Sequence, residues 1–236
     1  MKLLLKYLGE LRKCTIIDRP NRFTLRARVN SSTQQVYLPN PGKLTTVLAP
    51  GRELLCEPSA GKKRKTSFSA FAVRVGKFYV TVNSTFANQI FSAAIEKGAI
   101  GEFRRYVIAF REKRLGRGRI DFVLNDRKGR PVYVEVKSCT HVEHGVAKFP
   151  DRPTERGRQH LKLLSEFAAR GKHCYIVFIV QRPDARRFSP FRAVDPAFAD
   201  LLKYAQKAGV GIKVMATNFE PPNIYLSSEN LPIDLD

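Results

Sequence analysis

The chain has 236 residues, with 42 Lys/Arg against 21 Asp/Glu and a formal net charge of +21. A hydrophobic content of 43% with mixed charge excludes a disordered or fibrous chain, and the length allows one large domain or two small ones, each with a core. No apolar run reaches the roughly 18 residues of a membrane span, and Lys6 and Glu10 interrupt the N-terminal apolar stretch; the expectation is a cytoplasmic protein with a polyanionic partner and no membrane contact.

Taken in chain order, residues 1–84 read as short β segments at 23–29, 35–38, 53–57 and 77–82. They are separated by turn stretches such as Pro39-Asn40-Pro41-Gly42 and Pro50-Gly51. Several short strands in so few residues predict a small β-barrel. Sixteen Lys/Arg against four Asp/Glu make this smaller part the more basic one. Its densest run, Lys62-Lys63-Arg64-Lys65, is either a phosphate-binding loop or a solvated one.

Residues 85–236 change to longer alternating elements. A helix is predicted over 86–97 with Ile90, Phe91 and Ala94 inward and Gly98 as its stop. Strands follow at 103–112, 119–124 and 132–137, then a helix over 154–170 and an apolar strand at 175–180. Asp195-Pro196 opens a further helix, Gly209 closes it, and a strand runs over 210–215. This order predicts a mixed sheet with helices packed on it. Cys14, Cys56, Cys139 and Cys174 are scattered and read as buried, reduced thiols; Cys139, His141 and His144 lie close together but would need a fourth ligand from elsewhere.

The stretch from Arg119 to Lys137 carries the chemistry. With Arg127-Lys128-Gly129 as a three-residue hairpin loop, opposed residues have numbers summing to 256. Ile120, Phe122 and Leu124 then face Val136, Val134 and Val132 on one apolar side, while Asp121 stands opposite Glu135 and Lys137 shares their side. Opposed β-carbons are only about 4.5–5.5 Å apart, and like charges there repel. A divalent cation such as Mg²⁺ or Mn²⁺ bridging Asp121 and Glu135 removes that penalty. Lys137 would then stabilise transition-state charge, a constellation for metal-assisted phosphodiester hydrolysis. A turn centred between Gly116 and Arg117 puts Glu112 opposite Asp121, either as a third metal-binding acid or as a surface residue among Arg111, Lys113 and Arg114. Arg156 and His160, four apart on a helix, either contact phosphate or serve structural pairs.

The sequence resembles the sugar fermentation stimulation protein A family through RF at Arg22-Phe23, LPNPGKL at Leu38–Leu44, RIDF at Arg119–Phe122, VEVK at Val134–Lys137 and FPDRPTERGRQHL at Phe149–Leu161. The resemblance implies an N-terminal OB-fold-like small barrel over 1–84, a PD-(D/E)XK nuclease-like mixed-sheet α/β domain over 85–236, and DNA binding. It carries acidic-site roles onto Asp121, Glu135 and Lys137, with Glu112 as a further acid. Ile120 stands where the superfamily's name expects proline. Nucleic-acid contact is assigned to Lys62, Lys63, Arg64, Lys65, Arg22, Lys43, Arg156 and His160. The expected function is a Mg²⁺- or Mn²⁺-dependent nuclease on DNA; the alternatives are a non-enzymatic DNA-binding regulator of sugar metabolism on a nuclease scaffold, or an RNA-binding or RNA-processing protein.

Overall fold

The computed structural model describes residues 1–59, 66–116 and 118–236. Lys62, Lys63, Arg64 and Lys65, the run expected to meet phosphate, lie outside the described residues. Among the described residues the first part forms β1 (Lys2–Lys6), β2 (Arg12–Asn21), β3 (Thr24–Val29), β4 (Ser32–Tyr37), β5 (Glu53–Pro58), β6 (Phe68–Val75) and β7 (Phe78–Thr81). Strands β2 to β6 close a barrel in the order β4-β3-β2-β5-β6, sealed by parallel pairing of Val36 with Phe68 and Tyr37 with Ser69. Alternation drives the closure: Leu25, Ala27 and Val29 are buried, while Arg26 and Arg28 between them are exposed. The interior is filled by side chains such as Cys14, Ile16, Val36, Leu54, Cys56 and Val73.

The second part forms α1 (Phe86–Glu96), a 3₁₀ turn (Gly101–Phe103), β8 (Val107–Leu115), β9 (Gly118–Asn125), β10 (Pro131–Cys139), β11 (His141–Glu143), β12 (Val146–Phe149), α2 (Glu155–Ala169), β13 (His173–Val180), β14 (Arg187–Pro190), α3 (Pro196–Lys207), β15 (Gly211–Glu220) and β16 (Asn223–Ser228). Its sheet runs β15-β13-β10-β9-β8, parallel from β15 to β10 and antiparallel beyond. One face packs on α1 through residues such as Phe91, Phe122, Val134 and Ile179. The other packs on α2 and α3 through Leu161, Leu164, Ile176, Phe178, Phe198 and Leu202. Asp195 caps α3 by accepting the Phe198 N–H at 2.9 Å, with Pro196 in the first turn.

Four features depart from the expected elements. β1 leaves the barrel and pairs with β16, Lys2 opposite Leu226 and Lys6 opposite Asn223. β7 pairs with β6 and also with β15, where Tyr79 meets Phe219, so one hydrogen-bonded sheet runs through both parts. The strand expected from residue 103 begins at Val107, because the 3₁₀ turn drives the Phe103 ring between Phe91 and Tyr175. β11, β12 and β14 form a separate small sheet of elements only three or four residues long, too short for a period to register.

The β9–β10 hairpin keeps the expected register from Pro131–Asn125 to Val134–Phe122, every pair summing to 256. Its turn closes around Gly129 at φ +74°, with Asp126 accepting the N–H groups of Lys128 and Arg130 at 2.8 and 2.9 Å. The pairing then stops, short of the expected appositions of Asp121 with Glu135 and of Ile120 with Val136. Val136 packs on the α1 side and Ile120 on the α2 side. The physical reason is that Asp121 takes the Val136 N–H on its own carboxylate at 2.9 Å, replacing a ladder bond and turning the end of β9.

Candidate active site

That local break opens a cleft of about 500 Å³ at the ends of β9 and β10. Asp121 Oδ2 accepts the Val136 N–H and Oδ1 accepts the Asn88 side-chain amide at 3.2 Å, so α1 fixes the carboxylate from one side. Glu135, on β10, is 2% exposed. Its Oε1 accepts Lys137 Nζ at 2.6 Å and also meets His160 Nδ1 from α2. Its Oε2 is buried with no hydrogen-bond partner among the described residues.

The two acids sit in opposite electrostatic states. Burial, helped by the Glu135 charge, holds the Asp121 carboxyl above the usual carboxylate range; the Val136 N–H, Lys137 and Asn88 offset only part of this. Burial would also raise Glu135, but Lys137 and His160 together outweigh it and hold that carboxyl below its usual range. Placing negative charge on both at once is therefore the costly state of this cleft.

The remaining expected residues divide. Glu112 lines the cleft from β8 at φ +50°, but its exposed carboxylate turns to Arg119 at 3.1 Å instead of joining the pair. Among the described residues no group of three or more His, Cys, Asp or Glu side chains gathers as a metal cage. His160 is buried and bonded to Glu135, with its Nε2 3.5 Å from Arg156 Nε, so it orients an acid and only Arg156 is free to meet a ligand. Arg22 lines the cleft from the barrel side, its guanidinium 5.0 Å over the Phe23 ring. Lys43 is exposed outside the cleft wall and is held by its carbonyl, which accepts Arg19 Nη1 at 2.6 Å. Cys139, His141 and His144 do not converge. The Cys139 thiol donates to the Lys148 carbonyl at 3.4 Å, and buried His141 packs on Phe191 with 4.8 Å between ring centroids.

Sequence reasoning gave no role to the contact that brings the barrel into this cleft. Asp151 Oδ2 accepts the Leu44 N–H at 2.8 Å. Gly42 lies so close that a β-carbon there would stand 2.5 Å from Asp151 Oδ1. Arg19 donates to the carbonyls of Arg22, Gly42 and Lys43, and buried Asn40 donates to the Val82 carbonyl and accepts the Gly42 N–H. The loop 38–44 is thereby fixed as one wall, opposite Asp121, Lys137 and Arg156. The signal was present in the LPNPGKL and FPDRP stretches, but nothing in either says that they touch.

The sequence itself matches two family models, "Sugar fermentation stimulation protein RE domain" over residues 85–223 and "SfsA N-terminal OB domain" over residues 17–82. The chain belongs to the sugar fermentation stimulation protein family. A homolog of that family from Moorella thermoacetica is 37% identical over 219 residues, 92% of this chain and 94% of the relative. One from Methanothermobacter thermautotrophicus is 40% identical over 196 residues, 83% of this chain and 81% of the relative. Pyrococcus furiosus SfsA, solved in complex with Ca²⁺, superimposes with a TM-score of 0.91 at 30% identity, covering 99% of this chain and 100% of its own. The fold is thus an N-terminal OB-type barrel followed by a mixed-sheet α/β domain of the kind seen in the Pyrococcus furiosus relative. No helix of the described residues is long and apolar enough to cross a membrane.

Proposed function

We propose that this protein is a divalent-metal-dependent nuclease that binds DNA and hydrolyses phosphodiester bonds in the cleft lined by Asp121, Glu135 and Lys137. The buried, unpartnered Glu135 Oε2 beside Asp121 carries the reading. Leaving a buried acceptor open costs about 1–3 kcal/mol, and more when it is charged. A hard divalent cation is the ligand that satisfies two neighbouring carboxylates. Asp121 and Glu135 would hold it, with Glu112 available after giving up its exposed pair with Arg119. Bound there, Mg²⁺ or Mn²⁺ supplies Lewis acidity and a more acidic water.

The chain's own groups do the rest. His160 and Lys137 fix Glu135 through Oε1 and leave Oε2 open. Asn88 and the Val136 N–H hold Asp121 against rotation. The Lys137 ammonium stabilises charge developing on the phosphate oxygens. Arg22, Arg119, Arg152 and Arg156 rim the cleft and draw a phosphodiester backbone in. The Ca²⁺ complex of the Pyrococcus furiosus relative and the +21 charge support the reading.

Cleavage of single-stranded, duplex and branched DNA and RNA with Mg²⁺ or Mn²⁺ tests it. Glu135→Gln and Lys137→Ala should each lose roughly two or more orders of magnitude in rate, while retaining nucleic-acid binding in metal-free buffer. No cleavage of any substrate by the wild type would overturn the proposal in favour of a DNA-binding regulator.

A further inference from the structure

The end of the β9–β10 hairpin remote from the acids borders a second groove, of about 680 Å³, walled also by the segment that follows α1. Five basic side chains line it, Arg104, Arg105, Arg127, Lys128 and Arg130, against two carboxylates. Both carboxylates are already engaged. Asp126 spends its oxygens on the N–H groups of Lys128 and Arg130 and on Arg130 Nε at 2.7 Å. Glu102 faces Lys213 at 3.5 Å. Among the described residues no carboxylate pairs with the side chains of Arg104, Arg105, Arg127 or Lys128, and all four are exposed. Four cations held together against their mutual repulsion fit a polyanion.

The groove's position selects the kind of polyanion. Thr85, Asn88 and Gln89, at the start of α1, line the acidic cleft, whereas Gly101 to Tyr106, just past its end, line the groove. Asp126, just past the end of β9, is five residue steps from Asp121, about 17 Å at roughly 3.4 Å per residue. Between the two runs the Val107–Arg111 part of β8, the outermost strand of the sheet, with exposed Arg111; Lys113 and Arg114 stand opposite Ile120 and Arg119 and carry the exposed charge past Asp121 on the other side. Phosphates along one strand of a duplex are spaced about 3.4 Å apart along the axis, so about five stacked nucleotides, and fewer of an extended single strand, cover the gap.

We propose that this groove is a second nucleic-acid backbone site, holding the strand that runs from the cleft along β8. The direction of the strand rests on the nuclease reading of the cleft; the binding itself does not. The site reads phosphate charge, because its free groups are guanidinium and ammonium side chains, and it contributes only when the polymer is long enough to reach it.

The test is fluorescence anisotropy in EDTA, without cleavage, using labelled single-stranded DNA of about 2 and about 20 nucleotides, on either side of the length needed to span the gap. The variant replaces Arg104, Arg105, Arg127 and Lys128 with Gln; the pairs Arg104/Arg105 and Arg127/Lys128 are also replaced separately, and unchanged thermal midpoints verify folding. The expected result is at least a roughly tenfold weaker Kd for the longer DNA, with a log–log salt slope smaller by about three from four lost phosphate contacts. The short DNA should bind as to wild type. Equal affinity and slope for the longer DNA would overturn the proposal even if the wild type cleaves DNA; absence of cleavage with the length-dependent loss intact would overturn only the nuclease reading. Loss of binding to anionic lipid vesicles, with DNA binding unchanged, would also overturn it.

Discussion

Replacing Lys137 with Met keeps most of the aliphatic stem and removes the ammonium that donates to Glu135 Oε1 at 2.6 Å. Glu135 is 2% exposed and Lys137 13%, so the carboxylate has little water to turn to. Taking one partner from a buried ion pair costs about 3–5 kcal/mol. His160 still holds the same oxygen, which limits the loss to one charge-assisted hydrogen bond, about 1.5–3 kcal/mol. For a chain of this size that lowers the melting temperature by about 3–12 °C. The same change removes a cation that competes for the acids, so Mg²⁺ should bind the variant more tightly and narrow the gap. A ligand at a hundredfold excess over its Kd adds about 2.7 kcal/mol. Thermal denaturation of both proteins in EDTA and across a Mg²⁺ titration measures the two effects. A variant as stable as the wild type in EDTA, or a gap that widens with Mg²⁺, would refute the idea that Lys137 stands in for a cation at Glu135.

Two further substitutions probe the frame of the cleft. Gly42→Ala drives a β-carbon to within 2.5 Å of Asp151 Oδ1; it should cost about 1–3 kcal/mol by overpacking. Adding Asp151→Ala should recover part of that cost, as a double-mutant cycle in denaturant will register. Asp195→Ala removes acceptors for the Thr154 and Phe198 N–H groups and for Arg158, and should cost about 2–4 kcal/mol near neutral pH. Burial would raise the Asp195 carboxyl, but those donors outweigh it and hold it below the usual range. Its contribution is therefore full above the unfolded value of about 3.9 and fades as pH falls through the lower folded value. Urea midpoints of wild type and variant should converge in acid; a constant difference down to pH 2 would contradict the assignment.

Local pattern made the hairpin legible: a loop of three with glycine third fixed the register, and the sorting of Val132, Val134, Phe122 and Leu124 confirmed it. The same logic failed just past the paired segment, at Asp121 and Ile120, because a side-chain acceptor replaced a backbone one and no periodicity encodes that exchange. Helix starts were readable wherever the cap was local, as at Asp195. β1 and β16 were not, since their pairing joins the two ends of the chain and neither strand is amphipathic enough alone. The acids Asp121 and Glu135 could be picked out from the residues themselves, whereas the partners that set their charge state, Asn88 and His160, come from helices 33 and 25 residues away along the chain. Of the two roles open to His160, the fold shows the structural hydrogen bond, and the partner that sequence could not name is Glu135.

The strand pairing of β7 with β15 and of β1 with β16 has a mechanical meaning. Among the described residues, the sheet behind the cleft and the Asp151 contact to loop 38–44 in front tie its two walls together, which resists their parting like jaws. On the proposed function, a polynucleotide entering a cleft tied in this way would supply most of the compliance itself. Smooth bending of duplex DNA is stiff on this scale, with a persistence length of about 150 base pairs. Single-stranded ends, gaps and mismatched steps yield far more readily. A rigid cleft of this kind would select among substrates by how easily they bend, at positions that no side chain of the protein touches.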